Sequence, residues 1–75
     1  MNIQASINKL MLGIKQQGRQ IKLETKIQYS EKNENFMKQY FLYENINGKW
    51  QSIYYGYSKI ELLKRLVNSY KEGET

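Results

Sequence analysis

Residues 20–29 alternate strictly between polar and apolar side chains, with an apolar residue or a threonine at every odd position. A period of two is the spacing of a β-strand that has one buried and one solvated face. A chain of 75 residues forms one domain with a small core, so we treat residues 1–75 as a single domain. The rest of the chain must therefore supply the layer that covers the apolar face of this strand.

A helix is predicted before this strand. Asn2 is suited to an N-cap, and Gly18 stands where a left-handed residue would end the helix. Gly13 lies inside the pattern and weakens an isolated helix, which indicates close packing against a neighbour. The apolar residues at helical spacing are Ile3, Ile7, Leu10, Met11 and Ile14.

A second helix is predicted at the end of the chain. Ser58 and Glu61 have the spacing of a capping box, in which each side chain bonds the backbone amide of the other residue. The apolar face that follows consists of Ile60, Leu63, Leu66, Val67 and Tyr70.

Between the helices, residues 36–46 and 49–55 predict two further strands. They flank Asn47-Gly48, the dipeptide most typical of a two-residue type I′ hairpin turn. A turn at this position pairs Ile46 with Lys49 and, further along the ladder, Leu42 with Ile53. The polar loop before the second strand pairs Tyr29 with Phe36 if it is symmetric. A one-residue slip there would reverse the faces of the first strand.

This register collects most of the apolar residues on one side of the sheet. Both amphipathic helices need such a surface, so we place them there. The predicted fold is α+β, in the order α-β-β-β-α, with a three-stranded antiparallel meander and both helices packed on one face. The covered residues are expected to be Ile21, Leu23, Ile27, Tyr29, Phe36, Tyr40, Leu42, Ile53 and Tyr55.

The opposite face is predicted to be uncovered and aromatic. Its expected rings are Phe41, Tyr43, Trp50 and Tyr54, with Met37 at one end. Lys22 and Lys26 border them on the neighbouring strand. Aromatic rings beside cations suit nucleic acid, because bases stack on the rings and lysines neutralise phosphates. The residues expected to meet phosphates are Arg19, Lys22, Lys26 and Lys49.

The aromatic face is also consistent with three roles that involve no nucleic acid. Tyrosine favours strands, and cross-strand aromatic pairs stabilise small sheets without any ligand. The face also suits the pocket of a protein partner, or burial against a second copy in a homodimer.

The amino-acid composition limits which functional sites and partners this chain can have. The net charge of +5 favours polyanionic or acidic partners, although small domains commonly carry such a charge for solubility. The sequence contains no cysteine, histidine, proline or aspartate. We therefore predict no disulfide, no metal site, no cofactor and no catalytic activity. No apolar run is long enough for a membrane span or a secretory signal, so we expect a cytoplasmic protein that does not act at a membrane.

The order of elements resembles that of the double-stranded-RNA-binding domain. Asn47-Gly48-Lys49 is similar to that family's hairpin turn, and the segment from Gly56 to Lys59 is similar to the start of its last helix. In that family several lysines at this helix start reach phosphates across the RNA major groove. Only Lys59 matches here, because Ile60, Leu62 and Leu63 stand where basic or small residues occur in the family.

The chain also resembles small proteins of phages and integrative elements from AT-rich Firmicutes, a group that includes anti-CRISPR proteins. The resemblance is carried by richness in Lys, Asn, Ile and Tyr and by the compact run from Asn47 to Leu63. It implies action by binding and not by catalysis.

Together these observations predict a non-catalytic binding protein of a phage or mobile element that contacts nucleic acid or a nucleoprotein complex through the aromatic face. The alternative is a stoichiometric protein inhibitor of a host defence nuclease, similar to anti-CRISPR proteins, that binds protein and not nucleic acid.

Overall fold

The computed structural model describes residues 2–74 and has the predicted order of elements. The strands form one antiparallel sheet in the order β1-β2-β3, and the two helices pack on the sheet. The predicted α+β fold class is thus confirmed. The elements are α1 (Ile3–Gln16), β1 (Gln20–Ser30), β2 (Asn35–Ile46), β3 (Lys49–Gly56) and α2 (Lys59–Gly73).

Both helices begin at the predicted caps. The side chain of Asn2 accepts a hydrogen bond from the backbone N–H of Ala5 at 3.1 Å. The hydroxyl of Ser58 accepts one from the N–H of Glu61 at 3.2 Å. The Glu61 carboxylate lies 3.7 Å from the ammonium of Lys64, so the structure shows the serine half of the predicted capping box.

The β1–β2 ladder has the predicted register. Tyr29 pairs with Phe36, and the pairing runs without a shift from there to Gln20 opposite Asn45. Odd residues of β1 therefore share a face with even residues of β2, as expected from the loop. The loop therefore contains no one-residue slip, and the two faces of β1 are the predicted ones.

The β2–β3 ladder departs from the predicted register after four pairs. Asn47 and Gly48 have φ angles of +55° and +85°, as a type I′ turn requires, and Ile46 pairs with Lys49. A β-bulge then leaves Ile53 without a partner, so that Leu42 pairs with Tyr54. The predicted pairing of Leu42 with Ile53 is wrong for this reason.

The core lies between the helices and one face of the sheet. Leu42 at its centre is 0% exposed. A Cβ at Gly13 of α1 would come within 2.8 Å of the Tyr70 ring of α2, which confirms that this glycine allows close packing. The buried hydrophobic residues are Ile7, Ile14, Ile21, Tyr40, Leu42, Leu62 and Leu66.

The β1–β2 hairpin extends beyond the rest of the fold. Within residues 2–74, β3 pairs only with Tyr40–Ile46 of β2, so the far half of the hairpin has two strands. Ile27, Tyr29 and Phe36 lie in this half, on the side that carries the helices, and are 70%, 57% and 68% exposed. They were expected beneath the helices. That expectation is wrong because the hairpin is longer than the helix layer, and we call this segment (residues 26–39) the distal hairpin.

Candidate functional site

The face of the sheet opposite the helices carries an aromatic cluster, and we call it the open face. Phe41 and Tyr43 of β2 project from it, and Trp50 pairs with Asn45 on the same side. Opposite them on β1, Lys22 pairs with Tyr43 and Glu24 pairs with Phe41, and the Glu24 carboxylate lies 4.0 Å from the Lys22 ammonium. The open-face rings and cations are Phe41, Tyr43, Trp50, Tyr55, Lys22 and Lys26.

The two lysines lie over the rings. The ammonium of Lys22 is 4.5 Å from the centroid of Trp50 and 5.4 Å from that of Tyr43. The ammonium of Lys26 is 5.2 Å from the centroid of Phe41. These are cation–π distances, at which the ring quadrupole attracts the cation. The open face therefore holds positive charge directly against aromatic surface.

Exposure differs along the open face. Trp50 is 45% exposed and Tyr55 is 71% exposed, whereas Phe41 and Tyr43 are half-buried by their neighbours. The more exposed rings lie on β3, which forms one edge of the sheet. A ligand that stacks on aromatic surface would meet Trp50 and Tyr55 first.

The placement of Tyr54 on the open face is wrong, and the bulge is the reason. Tyr54 pairs with Leu42, packs against the core, and its hydroxyl donates a hydrogen bond to the carbonyl of Ser58 at 3.0 Å. Tyr55, expected beneath the helices, pairs with Phe41 on the open face instead. The bulge thus exchanges the two tyrosines and leaves the open face with an equal number of rings.

The assignment of Arg19 to phosphate binding is also wrong. A guanidinium has five N–H donors, and in Arg19 each of them is hydrogen-bonded within the chain. Two bond the Glu44 carboxylate in a bidentate pair at 2.8 Å, and the others bond acceptors on the helix side. We call this arrangement the arginine clamp; its acceptors are Glu44 of β2, Gln17 after α1, and both the hydroxyl and the carbonyl of Ser69 in α2.

The arginine clamp shifts the titration of both partners. The hydrogen bonds from Arg19 hold the pKa of Glu44 below its usual value, although burial opposes them. The same bonds raise the pKa of Arg19. Both groups therefore stay charged, and the pair joins the start of β1 to the end of β2 beneath the last turns of α2.

Lys49 lies beside the open face and not on it. It pairs with Ile46, which belongs to the register of the helix-covered side, and it is exposed at the turn. Of the cations predicted to meet phosphates, the structure thus brings Lys22 and Lys26 together with the rings.

Two further features were not predicted from the sequence. Tyr55 was missed because nothing in the residues 49–56 marks the bulge. The arginine clamp had a weak signal, since Glu44 stands between the apolar residues Leu42 and Ile46 at the even positions of β2. A carboxylate at a buried register position indicates a buried cationic partner.

Two grooves border the helices. One, of about 460 Å³, runs between α1 and β1, and its apolar lining is Ile7, Met11, Leu12, Ile21 and Leu23. The other, of about 560 Å³, lies between the two helices on the outer side and includes Gly13 and Tyr70. The groove between the helices has a mostly apolar lining, whereas the groove between α1 and β1 is also lined by Asn8, Lys15 and Lys22.

Within the described residues 2–74, no three metal-ligating side chains come together. None of the helices described combines the length and apolar character needed to cross a membrane. Comparison with protein-family models, curated proteins and solved structures gives no match for this chain. The candidate site therefore depends on geometry alone.

Proposed function

We propose that this chain is a non-catalytic, cytoplasmic binding module that holds single-stranded nucleic acid on the open face of its sheet. The observation that carries the proposal is the contact of two lysine ammonium groups with uncovered aromatic rings, Lys22 on Trp50 and Lys26 on Phe41. Every base has a face that can stack on a ring, and every linkage carries a phosphate for a lysine. The open face provides both partners within a few ångströms.

The geometry favours a single strand over a duplex. Rings that stand on a flat sheet reach base faces only where the bases are unstacked, as they are in a single strand. The long recognition helix that reads a duplex groove is lacking on this face, because both helices lie on the other side. The open face is therefore suited to stacking without base-specific readout.

The charge on this face is modest. Lys22 and Lys26 stand with Glu24 between them on β1, so the strand contributes one net positive charge. Stacking contributes about 1–3 kcal/mol per base, and each neutralised phosphate adds about 0.7 to the salt slope of a single strand. We expect weak binding with a shallow dependence on salt.

Titration of the whole chain with oligo(dT) at low salt, followed by Trp50 emission, tests the proposal. Quenching of the tryptophan, weakened by added salt, is the expected result, with a matched duplex binding less tightly. Because emission is lost in Trp50→Ala, that variant is measured by the anisotropy of a labelled oligonucleotide. It is expected to bind about tenfold more weakly.

Matched control variants separate the open face from general charge and aromatic content. Phe36→Ala removes a ring that is 68% exposed but lies on the helix side of the sheet, so its affinity is expected to stay near that of the unmodified chain. Lys22→Gln and Lys9→Gln change the net charge equally, but only Lys22 contacts the rings. Only Lys22→Gln is expected to weaken binding measurably.

Equal losses in Lys22→Gln and Lys9→Gln would contradict the proposal, because binding would then follow net charge alone. Tighter binding of duplex than of single strand would contradict stacking. Pull-down from a nuclease-treated lysate distinguishes the protein-inhibitor alternative. In that case the unmodified chain would retain a host protein in stoichiometric amount, Trp50→Ala would not retain it, and neither would bind oligonucleotide. The ligand of this face would then be a protein and not nucleic acid.

A further inference from the structure

The outer edge of β1 is long and regular. Among residues 2–74, β1 pairs with β2 alone, so half of its backbone N–H and C=O groups point outward along 11 residues. Exposed edges are usually blunted by proline, a bulge, a short strand or charged side chains, and of these β1 has only the charged side chains of Lys22, Glu24 and Lys26. β1 pairs with β2 without any register shift, and the sequence contains no proline.

The opposite edge of the sheet is different. β3 has 8 residues and contains the bulge at Ile53. The carbonyl freed there accepts a hydrogen bond from Nε of Arg65 at 3.1 Å. A further strand cannot continue the ladder regularly across this position. Of the two edges, β1 is the one able to accept a strand.

We propose that a second copy of this chain occupies the β1 edge, with the two β1 strands antiparallel and Thr25 of each copy opposite Thr25 of the other. Thr25 is the central residue of the strand, so all 11 residues pair in this register. The interface is isologous, as a two-fold axis requires. It extends the sheet to six strands by the same backbone pairing that joins peptides to sheet edges.

The charges of β1 select this register. On the open face, Glu24 of each copy lies opposite Lys26 of the other, which gives two ion pairs across the axis. A shift of two residues in one direction places Glu24 opposite Glu24, and in the other direction Lys26 opposite Lys26. Like charges directly opposite destabilise a strand pair. Shifts of one residue would place the helices of the two copies on opposite faces.

The apolar residues of the distal hairpin fit the same register. On the helix side, Ile27 of one copy lies opposite Leu23 of the other, and Tyr29 lies opposite Ile21. Leu23 and Ile21 line the groove between α1 and β1. The exposed residues Ile27 and Tyr29 therefore come beside the apolar residues Ile21 and Leu23 of that groove in the partner copy.

This dimer leaves the open face uncovered. The axis is perpendicular to the sheet, so the helices of both copies lie on one side and the aromatic rings of both on the other. It differs from the homodimer that would bury the rings. The inference is independent of nucleic-acid binding, and it is tested without nucleic acid.

Charge reversal with sedimentation equilibrium of the whole chain tests the register. The unmodified chain is expected to be mostly dimeric at about 0.1 mM. Glu24→Lys and Lys26→Glu each place like charges across the axis and are expected to weaken dimerisation at least tenfold. The double variant restores opposite charges with the net charge unchanged, so it is expected to recover the dimer. Lys9→Glu, on α1, changes charge as Lys26→Glu does and is expected to remain dimeric.

Cysteine cross-linking tests the axis, because the chain has no cysteine of its own. Thr25→Cys places two thiols opposite each other and is expected to form a disulfide-linked dimer on mild oxidation. Gln28→Cys lies on the same strand, but the two thiols stand about 20 Å apart in this register, so it is expected to stay uncrosslinked.

A chain that is monomeric at 0.1 mM would overturn the proposal. So would a dimer that both charge reversals leave unchanged, or equal cross-linking of Gln28→Cys and Thr25→Cys.

Discussion

The two halves of the β1–β2 hairpin have the same strand chemistry but opposite surroundings. The near half has a third strand, two helices over one face, and the arginine clamp at its end. The distal hairpin has none of these three features, and Ile27 and Phe36 remain about two-thirds exposed. Ile21 and Ile27 occupy the same face of the same strand, yet Ile21 is only 3% exposed.

This difference shows that a regular strand pattern does not by itself locate the core. Alternation in residues 20–29 specifies which face is apolar, whereas the helices, each under 25 Å long, determine how much of that face is covered. The near half provides the stability of the fold. The distal half keeps its apolar side chains exposed.

The largest expected effect compares the two isoleucines directly. Ile21→Ala removes buried methyl groups and leaves a cavity, so we expect it to lower the free energy of unfolding by about 2–5 kcal/mol. Ile27→Ala makes the same chemical change on an exposed position and is expected to cost less than about 0.5 kcal/mol. Urea unfolding, at protein concentrations low enough that the midpoint no longer depends on concentration, measures both. Similar losses in the two variants would remove the distinction between the halves.

An intermediate effect concerns the arginine clamp and pH. The pKa of Glu44 is lower in the folded chain than when unfolded, so its stabilising contribution is present above the unfolded pKa. That contribution is lost as the pH falls through the folded pKa. Glu44→Gln is expected to cost about 2 kcal/mol at neutral pH, because Arg19 loses its ion pair.

Urea midpoints measured from pH 7 down to pH 2.5 check this expectation. The gap between the unmodified chain and Glu44→Gln should narrow toward the acid end. Glu31→Gln, in the exposed turn of the distal hairpin, is the matched control and should follow the unmodified chain throughout. A constant gap between the unmodified chain and Glu44→Gln would show that the clamp does not titrate.

The smallest expected effect lies at the end of the distal hairpin. The rings of Tyr29 and Phe36 form an edge-to-face pair with centroids 5.3 Å apart. Such an exposed cross-strand pair contributes about 0.2–1 kcal/mol. Phe36→Ala is expected to lower global stability by no more than that, but to speed amide hydrogen exchange in the distal hairpin several-fold. Unchanged exchange there would indicate that the backbone alone orders this segment.

Much of the fold could be predicted from the sequence because its signals are local. The caps at Asn2 and Ser58, the turn at Asn47-Gly48 and the symmetric loop between Tyr29 and Phe36 each fix a backbone geometry within a few residues. A turn or loop that fixes one pair of residues also fixes every later pair in the same ladder. The predicted β1–β2 register is therefore correct over its whole length.

The errors at the site arise from contacts between distant parts of the chain. The bulge at Ile53 is stabilised by packing of Ile53 and Tyr54 on the core and by Arg65 from α2. No turn residue marks it. Arg19 is likewise hydrogen-bonded within the chain because of Glu44 and Ser69, which are 25 and 50 residues away. A surface cation and an internal one look alike in a sequence until their partners are placed.

The bulge also determines how the chain can vary in length. Because Ile53 and Tyr54 share the place opposite Leu42, removing Ile53 would leave Tyr54 opposite Leu42 and Tyr55 opposite Phe41. A related chain that lacks this one residue would therefore expose the same aromatic rings on the open face. In an alignment, such a gap would suggest a loop, although it falls in the middle of a strand.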